Sequence, residues 1–157
     1  MINRDEFRHA LGRFASGVTV ITTKDASSHK HGITVSAFAS VSLEPPLILI
    51  CIDKYTGSHH AFEENEFFCV NILREDQQQY SDYFASHRDD KFDRFDWREN
   101  EHGVPVLTDV LVNLECRRVN AHSNGDHTIF VGKIERATVG EGKPLVYWHG
   151  NYHHLKN

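Results

Sequence analysis

Twelve histidines stand among 157 residues, so metal ligation and proton transfer are the first chemistries to weigh. Nine of them group as His29-x-His31, His59-His60, His122 with His127, and His149-x-x-x-His153-His154. None of these groups has an acidic or cysteine partner at a familiar zinc spacing. Gly150 interrupts the helix that His149 and His153 would need, so no metal site is expected. Asn124-Gly125 is a two-residue hairpin signal. A turn on that pair sets Ser123 against Asp126 and His122 against His127. His127 would then sit on a rigid rim beside Asp126 and Thr128. It could donate a hydrogen bond or a proton near neutral pH, or be a solvated turn histidine. Ser58 precedes a short helical segment, residues 59–64. With Thr56, Lys54 and the N–H groups of the first turn it could hold a phosphate, or it is a plain N-cap. Lys91-Phe92 could clamp a ligand or anchor a loop. No nucleophile or carboxylate pair stands out.

The segments that must position these groups centre on residues 31–46. Ile33, Val35, Ala37, Ala39, Val41 and Leu43 alternate with small residues, which predicts a half-buried strand. Its other face carries Thr34, Ser36, Ser40 and Ser42 around Phe38, with no charge between Gly32 and Leu43. Such a wall lets a flat polar ligand approach the main chain, or is covered by a helix or a second subunit.

Upstream, Asn3 and Glu6 form a capping-box pair. Phe7, Ala10, Leu11 and Phe14 make one apolar stripe of a helix that Gly17 would end. Residues 18–23 are a β-branched run and pair with the 31–46 strand as a hairpin. The apolar run 47–52 reads as a strand buried on both faces. Residues 67–73 form another strand, and Asp76 would cap a helix running to Phe84. The charged stretch 86–100 reads as a surface excursion. Residues 110–119 and 127–139 are strands flanking the Asn-Gly turn, and residues 145–148 are a last short strand. About seven strands and two or three short helices, without regular strand–helix alternation, predict a mainly β, antiparallel, closed or nearly closed barrel with appended helices.

The length suits one domain, residues 1–157. A net charge of −5 argues against a nucleic-acid or anionic-membrane binder. No apolar segment approaches the ~20 residues of a membrane span. Cys51, Cys69 and Cys116 are odd in number and lie in apolar runs. They read as buried free thiols of a cytoplasmic protein.

Together these motifs resemble the short-chain flavin reductases, the reductase components of two-component flavin-dependent monooxygenases. The likeness rests on residues 14–23 (Phe-Ala-Ser-Gly-Val-Thr-Val-Ile-Thr-Thr), on 32–42 with Pro45-Pro46, and on Val70-Asn71-Ile72-Leu73. Gly125-Asp126-His127 and Pro144-Leu145-Val146-Tyr147 leading to Gly150 and Tyr152-His153 complete it. The resemblance implies a flavin-binding split β-barrel, a homodimer with flavin in an interface groove. It implies hydride transfer from NADH, less readily NADPH, to FMN or FAD, and a separate oxygenase that receives the reduced flavin. Carried over by position, Thr34, Val35, Ser36 and Ala37 would line the isoalloxazine, with Ser40 close by. Cys51, Ile52 and Asp53 would offer main chain on its other side, and Ser58 would meet the phosphate. Phe84, Lys91 and Phe92 would close over the outer flavin. His127 would contact the nicotinamide, with Gly150 and Tyr152 bordering that space. Asn151 departs from the family, where Lys or Arg is frequent, and no basic pair suits a 2′-phosphate. Other readings are a flavin-binding or metal- or haem-handling barrel without reductase activity, and a pyridoxamine-phosphate-oxidase type of flavoenzyme.

Overall fold

The computed structural model describes residues 1–157. Its main sheet has seven antiparallel strands: β2 (Thr19–Lys24), β3 (Lys30–Val35), β4 (Phe38–Ser42), β5 (Leu47–Asp53), β6 (Phe67–Ile72), β9 (Val112–Asn124) and β10 (His127–Val139). Their order is β3-β2-β6-β9-β10-β5-β4. The two end strands, β3 and β4, are consecutive in the chain and joined by Ser36 and Ala37 alone. The sheet therefore curls until its edges meet at a two-residue elbow, which is the split of the barrel. Two small sheets are appended. One is β1 (Ser16–Gly17), β11 (Val146–Trp148) and β12 (Asn151–His153), and the other is β7 (Trp97–Glu99) with β8 (Pro105–Leu107).

The barrel interior follows from the period of two. Ile48, Ile50 and Ile52 of β5 point inward, and Ile21, Val35, Phe62, Phe68, Val70, Cys116 and Phe130 meet them. Each such side chain contributes roughly 1.5–3 kcal/mol by leaving water. The β5 run is therefore one-sided, not buried on both faces as its composition suggests. Leu47, Leu49 and Cys51 are only half-buried because the exposed edge strand β4 is their neighbour. Asn71 of the Val-Asn-Ile-Leu motif is fully buried. Its amide donates to Val20 O and Thr22 Oγ1, and its oxygen accepts from Leu107 N and Asn113 Nδ2. That residue stitches β2, β6, β8 and β9 together with its own polar groups satisfied.

Four helices lie outside the barrel: α1 (Arg4–Leu11), α2 (His59–Glu64), α3 (Gln78–Phe84) and α4 (Lys91–Arg94). The α1 capping box of Asn3 and Glu6 is present, but the helix ends at Gly12, so Phe14 lies beyond it. Asp76 does not cap α3, because its carboxylate pairs with Arg74 at 2.8 Å, and Gln77 takes the cap position. The excursion 86–100 is not loose: it contains α4 and β7, and Trp97 Nε1 donates to Phe92 O at 2.9 Å. Residues 31–46 do not form one strand, since the elbow breaks them into β3 and β4.

Candidate active site

Three regions contain the predicted site residues, and β3 touches all of them. The first is the elbow. Ser36, Ala37 and Ser40 are exposed, whereas Val35 turns its side chain into the barrel and offers only backbone. Cys51 N donates to Ala37 O at 3.1 Å. Beyond that bond β4 has left, so Ile52 and Asp53 have no strand on that side. Their side chains are unavailable: Ile52 is buried in the core, and Asp53 Oδ1 accepts from Tyr55 N at 2.8 Å. What remains beside the two small residues is the Asp53 main chain, since alternation along β5 turns the N–H and C=O of Ile52 toward β10 and Asp53 O accepts from Thr56 N at 3.3 Å.

On its opposite side β5 pairs with β10, and Asp53 stands directly across from His127. His127 Nδ1 lies 2.7 Å from Asp126 Oδ1. A carboxylate only accepts, so Nδ1 carries the proton and Nε2 of the neutral ring is an acceptor. The same bond holds the Asp126 carboxyl below its usual range. Lys54 locks this rim: its N donates to Asp126 O, and its Nζ donates to Ser123 Oγ and Gly125 O. Lys54 therefore serves the hairpin and not an anion site beside Ser58. The hairpin register also differs from the Asn-Gly expectation by one residue. His127 pairs with Asn124, and His122 faces Ile129. The turn residues are Gly125 and Asp126, and of these only Gly125 has positive φ, +57°. A turn that needs φ > 0 at its first central position alone takes Gly there, so the loop forms one residue later.

The second region is a cleft of about 570 Å³ lined by Gly32, Ser58, Lys91 and Phe92, with Arg88 and four histidines on its walls. Ser58 occupies the N-cap of α2, yet its hydroxyl makes no cap bond and instead lies 3.3 Å from His31 Nδ1. Lys91 Nζ donates to Gly32 O at 3.1 Å and Phe84 O at 3.0 Å, and partial burial lowers its pKa. Phe84 does not cover a ligand. It is fully buried, packed edge-on against Phe92 with ring centroids 5.5 Å apart. The reason is Gly32, which sequence reasoning left without a role. A Cβ there would lie 2.5 Å from Phe84 Cε1 and 3.2 Å from Phe92 Cζ. The aromatic rings seat directly on the β3 backbone. Gly32→Ala should destabilise the fold by about 1–3 kcal/mol, because the buried Phe84 cannot swing away; a urea midpoint equal to that of the parent would contradict this packing.

Asp90 fixes α4, and with it Lys91. Its Oδ1 accepts from Tyr83 OH at 2.7 Å, and Arg88 Nε lies 3.2 Å away. Arg88 first and Tyr83 second hold the Asp90 carboxyl down at about 2. A depressed carboxylate contributes stability above its unfolded pKa and loses it as pH falls through the folded value. Asp90→Asn should therefore lower the melting temperature at neutral pH and make no difference near pH 2. A difference between the two proteins that persists undiminished in acid would sink this assignment.

The third region is the C-terminal hairpin. His149 and Gly150, φ +53° and +76°, form its two-residue turn, with Trp148 paired to Asn151. Positive φ at both central residues is the type I′ requirement, which Gly150 meets without strain. Tyr152 OH lies 2.6 Å from Ser81 Oγ and 3.1 Å from Asp82 Oδ1. Thr34 Oγ1 donates to Ser81 O at 2.6 Å. Ser81, a residue without an apparent role in the sequence, thus ties β3 to the Tyr152 hairpin. The Thr34 hydroxyl proton is spent on that tie, and α3 covers the outer face of β3 there. Of the residues 34–37, the exposed contact surface is Ser36 and Ala37.

The donor set suits a flavin nucleotide. Main chain and small side chains at the elbow match the edge of a flat polar ring, and a lysine and the Ser58 hydroxyl in the cleft match a phosphate. Gly32 and Ser36 lie four residues apart, about 13 Å along a strand, a span that a flavin ring edge, its ribityl chain and phosphate bridge together.

Comparison with known proteins agrees with this geometry. Residues 11–156 match the model of the flavin reductase like domain. The chain belongs to that family. It is 43% identical over 150 residues to the FMN reductase (NADH) SmoA of Agrobacterium fabrum, covering 96% of this chain and 85% of that protein. It is 40% identical over 152 residues to the reductase subunit HsaB of a flavin-dependent monooxygenase from Rhodococcus jostii, covering 96% and 77%. The structure of the Streptomyces globisporus NADH:FAD oxidoreductase SgcE6 in complex with NAD and FAD fragments superposes with a TM-score of 0.93 at 33% identity, covering 98% of this chain and 93% of that one. The split barrel and the family expected from the sequence motifs are both borne out.

Proposed function

We propose that this protein is an NADH-dependent flavin reductase whose single domain, residues 1–157, binds FMN or FAD at the elbow and passes reduced flavin to a separate oxygenase. The observation that carries the reading is the exposed Ser36–Ala37 elbow beside the end of β5 that β4 leaves without a strand partner, in a chain of this family. Bound flavin would supply the two-electron acceptor for a hydride from nicotinamide C4, while the second proton comes from solvent. The protein's part is positioning and exclusion of water. Main chain at Asp53, with the Ser36 and Ser40 hydroxyls, would bind the polar ring edge where negative charge grows. Ser58 and Lys91 would hold the phosphate. His127, with its tautomer set by Asp126, presents Nε2 as an acceptor for the carboxamide N–H of the nicotinamide. Tyr152 and Gly150 would border the nicotinamide side.

A homodimer fits the surface. No residue of α1 is buried, and Phe14 and Leu43 are 80% and 92% exposed. Val41 on β4 and Phe7 and Leu11 on α1 join them as exposed apolar side chains, which burial against a second copy would take out of water. A second copy would cover them beside the elbow. The relatives named above are an FMN reductase, a monooxygenase reductase subunit and an NADH:FAD oxidoreductase, which supports NADH and leaves both flavins open. Three unpaired cysteines suit a reducing cytoplasm, and no helix is long and apolar enough to cross a membrane. Mixing the protein with NADH or NADPH and each flavin under air tests the reading. Flavin-dependent consumption of NADH, with NADPH the poorer donor, supports it, and no consumption with any pair overturns it.

A further inference from the structure

The histidines in the cleft wall carry a second inference. Asp25 closes the β2–β3 turn, His31 lies on β3 and His60 on α2, so no sequence spacing announces them as a group. In the fold their ligand atoms all lie within 4.8 Å of one another. Asp25 Oδ2 is 2.9 Å from His31 Nε2 and 3.7 Å from His60 Nε2, and His29 Nδ1 approaches it to 3.5 Å from the solvent side. We infer that Asp25, His31 and His60 form a binding site for a divalent transition-metal ion of the zinc class, with His29 available as a fourth ligand.

Four observations support it. First, the carboxylate is divided: Oδ1 accepts from Ser27 N and His29 N, both at 2.9 Å, while Oδ2 accepts from His31 Nε2 at 2.9 Å, so an incoming cation would displace the Nε2 proton and bridge these two atoms. The Asp25 side chain is only 9% exposed, and its carboxyl sits far below the usual range, chiefly through His31. Second, the spacing suits small ions. Tetrahedral bonds of about 2.0–2.1 Å set ligand atoms about 3.3 Å apart, and the three contacts to Oδ2 bracket that value. Third, the segments that bring the ligands are pinned together: Ala26 N donates to Glu64 Oε2 at 2.7 Å, and Asn65 Nδ2 donates to Lys24 O at 3.2 Å. Fourth, the second nitrogen of His31 has an outer partner, Ser58 Oγ, as metal-bound imidazoles generally do. His60 makes no hydrogen bond of its own; its Nε2 faces Asp25 beyond bonding distance, and its ring meets His31 edge-on at 5.0 Å. Two imidazoles with one carboxylate favour zinc, cobalt or nickel over magnesium or calcium, which need cages of oxygen.

The site stands on residues outside the proposed hydride-transfer set, so it is tested without flavin. Tag-free protein would be titrated with Zn²⁺ by calorimetry and with Co²⁺ by visible absorption. The expected result is one saturable site per chain and the intense visible bands of low-coordinate cobalt. His60→Ala and Asp25→Asn should each weaken binding by roughly tenfold or more, whereas His154→Ala, at an exposed histidine elsewhere, leaves it unchanged. His60 is half-exposed, so its truncation leaves the core intact. No saturable binding at millimolar metal, or equal affinity in the parent and His60→Ala, would overturn the proposal.

Discussion

Ala37→Leu should cut flavin affinity about a hundredfold, equivalent to about 2.7 kcal/mol, while the fold remains intact. Ala37 is exposed, and its carbonyl is fixed by Cys51 N at 3.1 Å. The larger side chain therefore projects outward without entering the core or breaking the β4–β5 edge. It would stand in the space through which a planar ring reaches the Asp53 main chain. Titration of FMN or FAD fluorescence against the variant, with circular dichroism as the control for folding, measures the effect. Parental affinity in a folded variant would place the flavin elsewhere on the barrel.

His127→Ala separates the two substrates. The imidazole is half-exposed at the end of β10, oriented by Asp126 and opposite Asp53. Its removal takes away one hydrogen bond to the nicotinamide and nothing from the core. The expected result is a rise of roughly tenfold in the KM for NADH, about 1.4 kcal/mol, with flavin affinity nearly unchanged. Steady-state kinetics at saturating flavin read this directly. A variant that keeps its KM for NADH but loses flavin binding would reverse the assignment of the rim.

Most of the barrel is legible in residue pattern, because β2, β5, β6, β9 and β10 each bury one face or both and so carry a periodic or β-branched signal. Residues 36 and 37 carry no breaker, so the division of the central stretch into β3 and β4 is invisible until the sheet has to close on itself. The hairpin slip has a local cause: Asn-Gly suits a turn with two positive φ values, and this loop needs only one. The family resemblance makes Phe84 a cover for the outer flavin with Lys91 and Phe92, but only the packed structure shows Gly32 drawing its ring inward. Ser58, Lys91 and Phe92 line one cleft. The Asp25–His31–His60 cluster draws on three separate segments and has no spacing from which it could be read.

The most direct test of the central claim is made without oxygen. Oxidised FMN or FAD is mixed with NADH in the presence and absence of the protein, and the flavin and nicotinamide absorption bands are followed together. The account predicts that both bands fall mole for mole at a rate set by the protein. Bands that fall no faster with the protein than without it would contradict it.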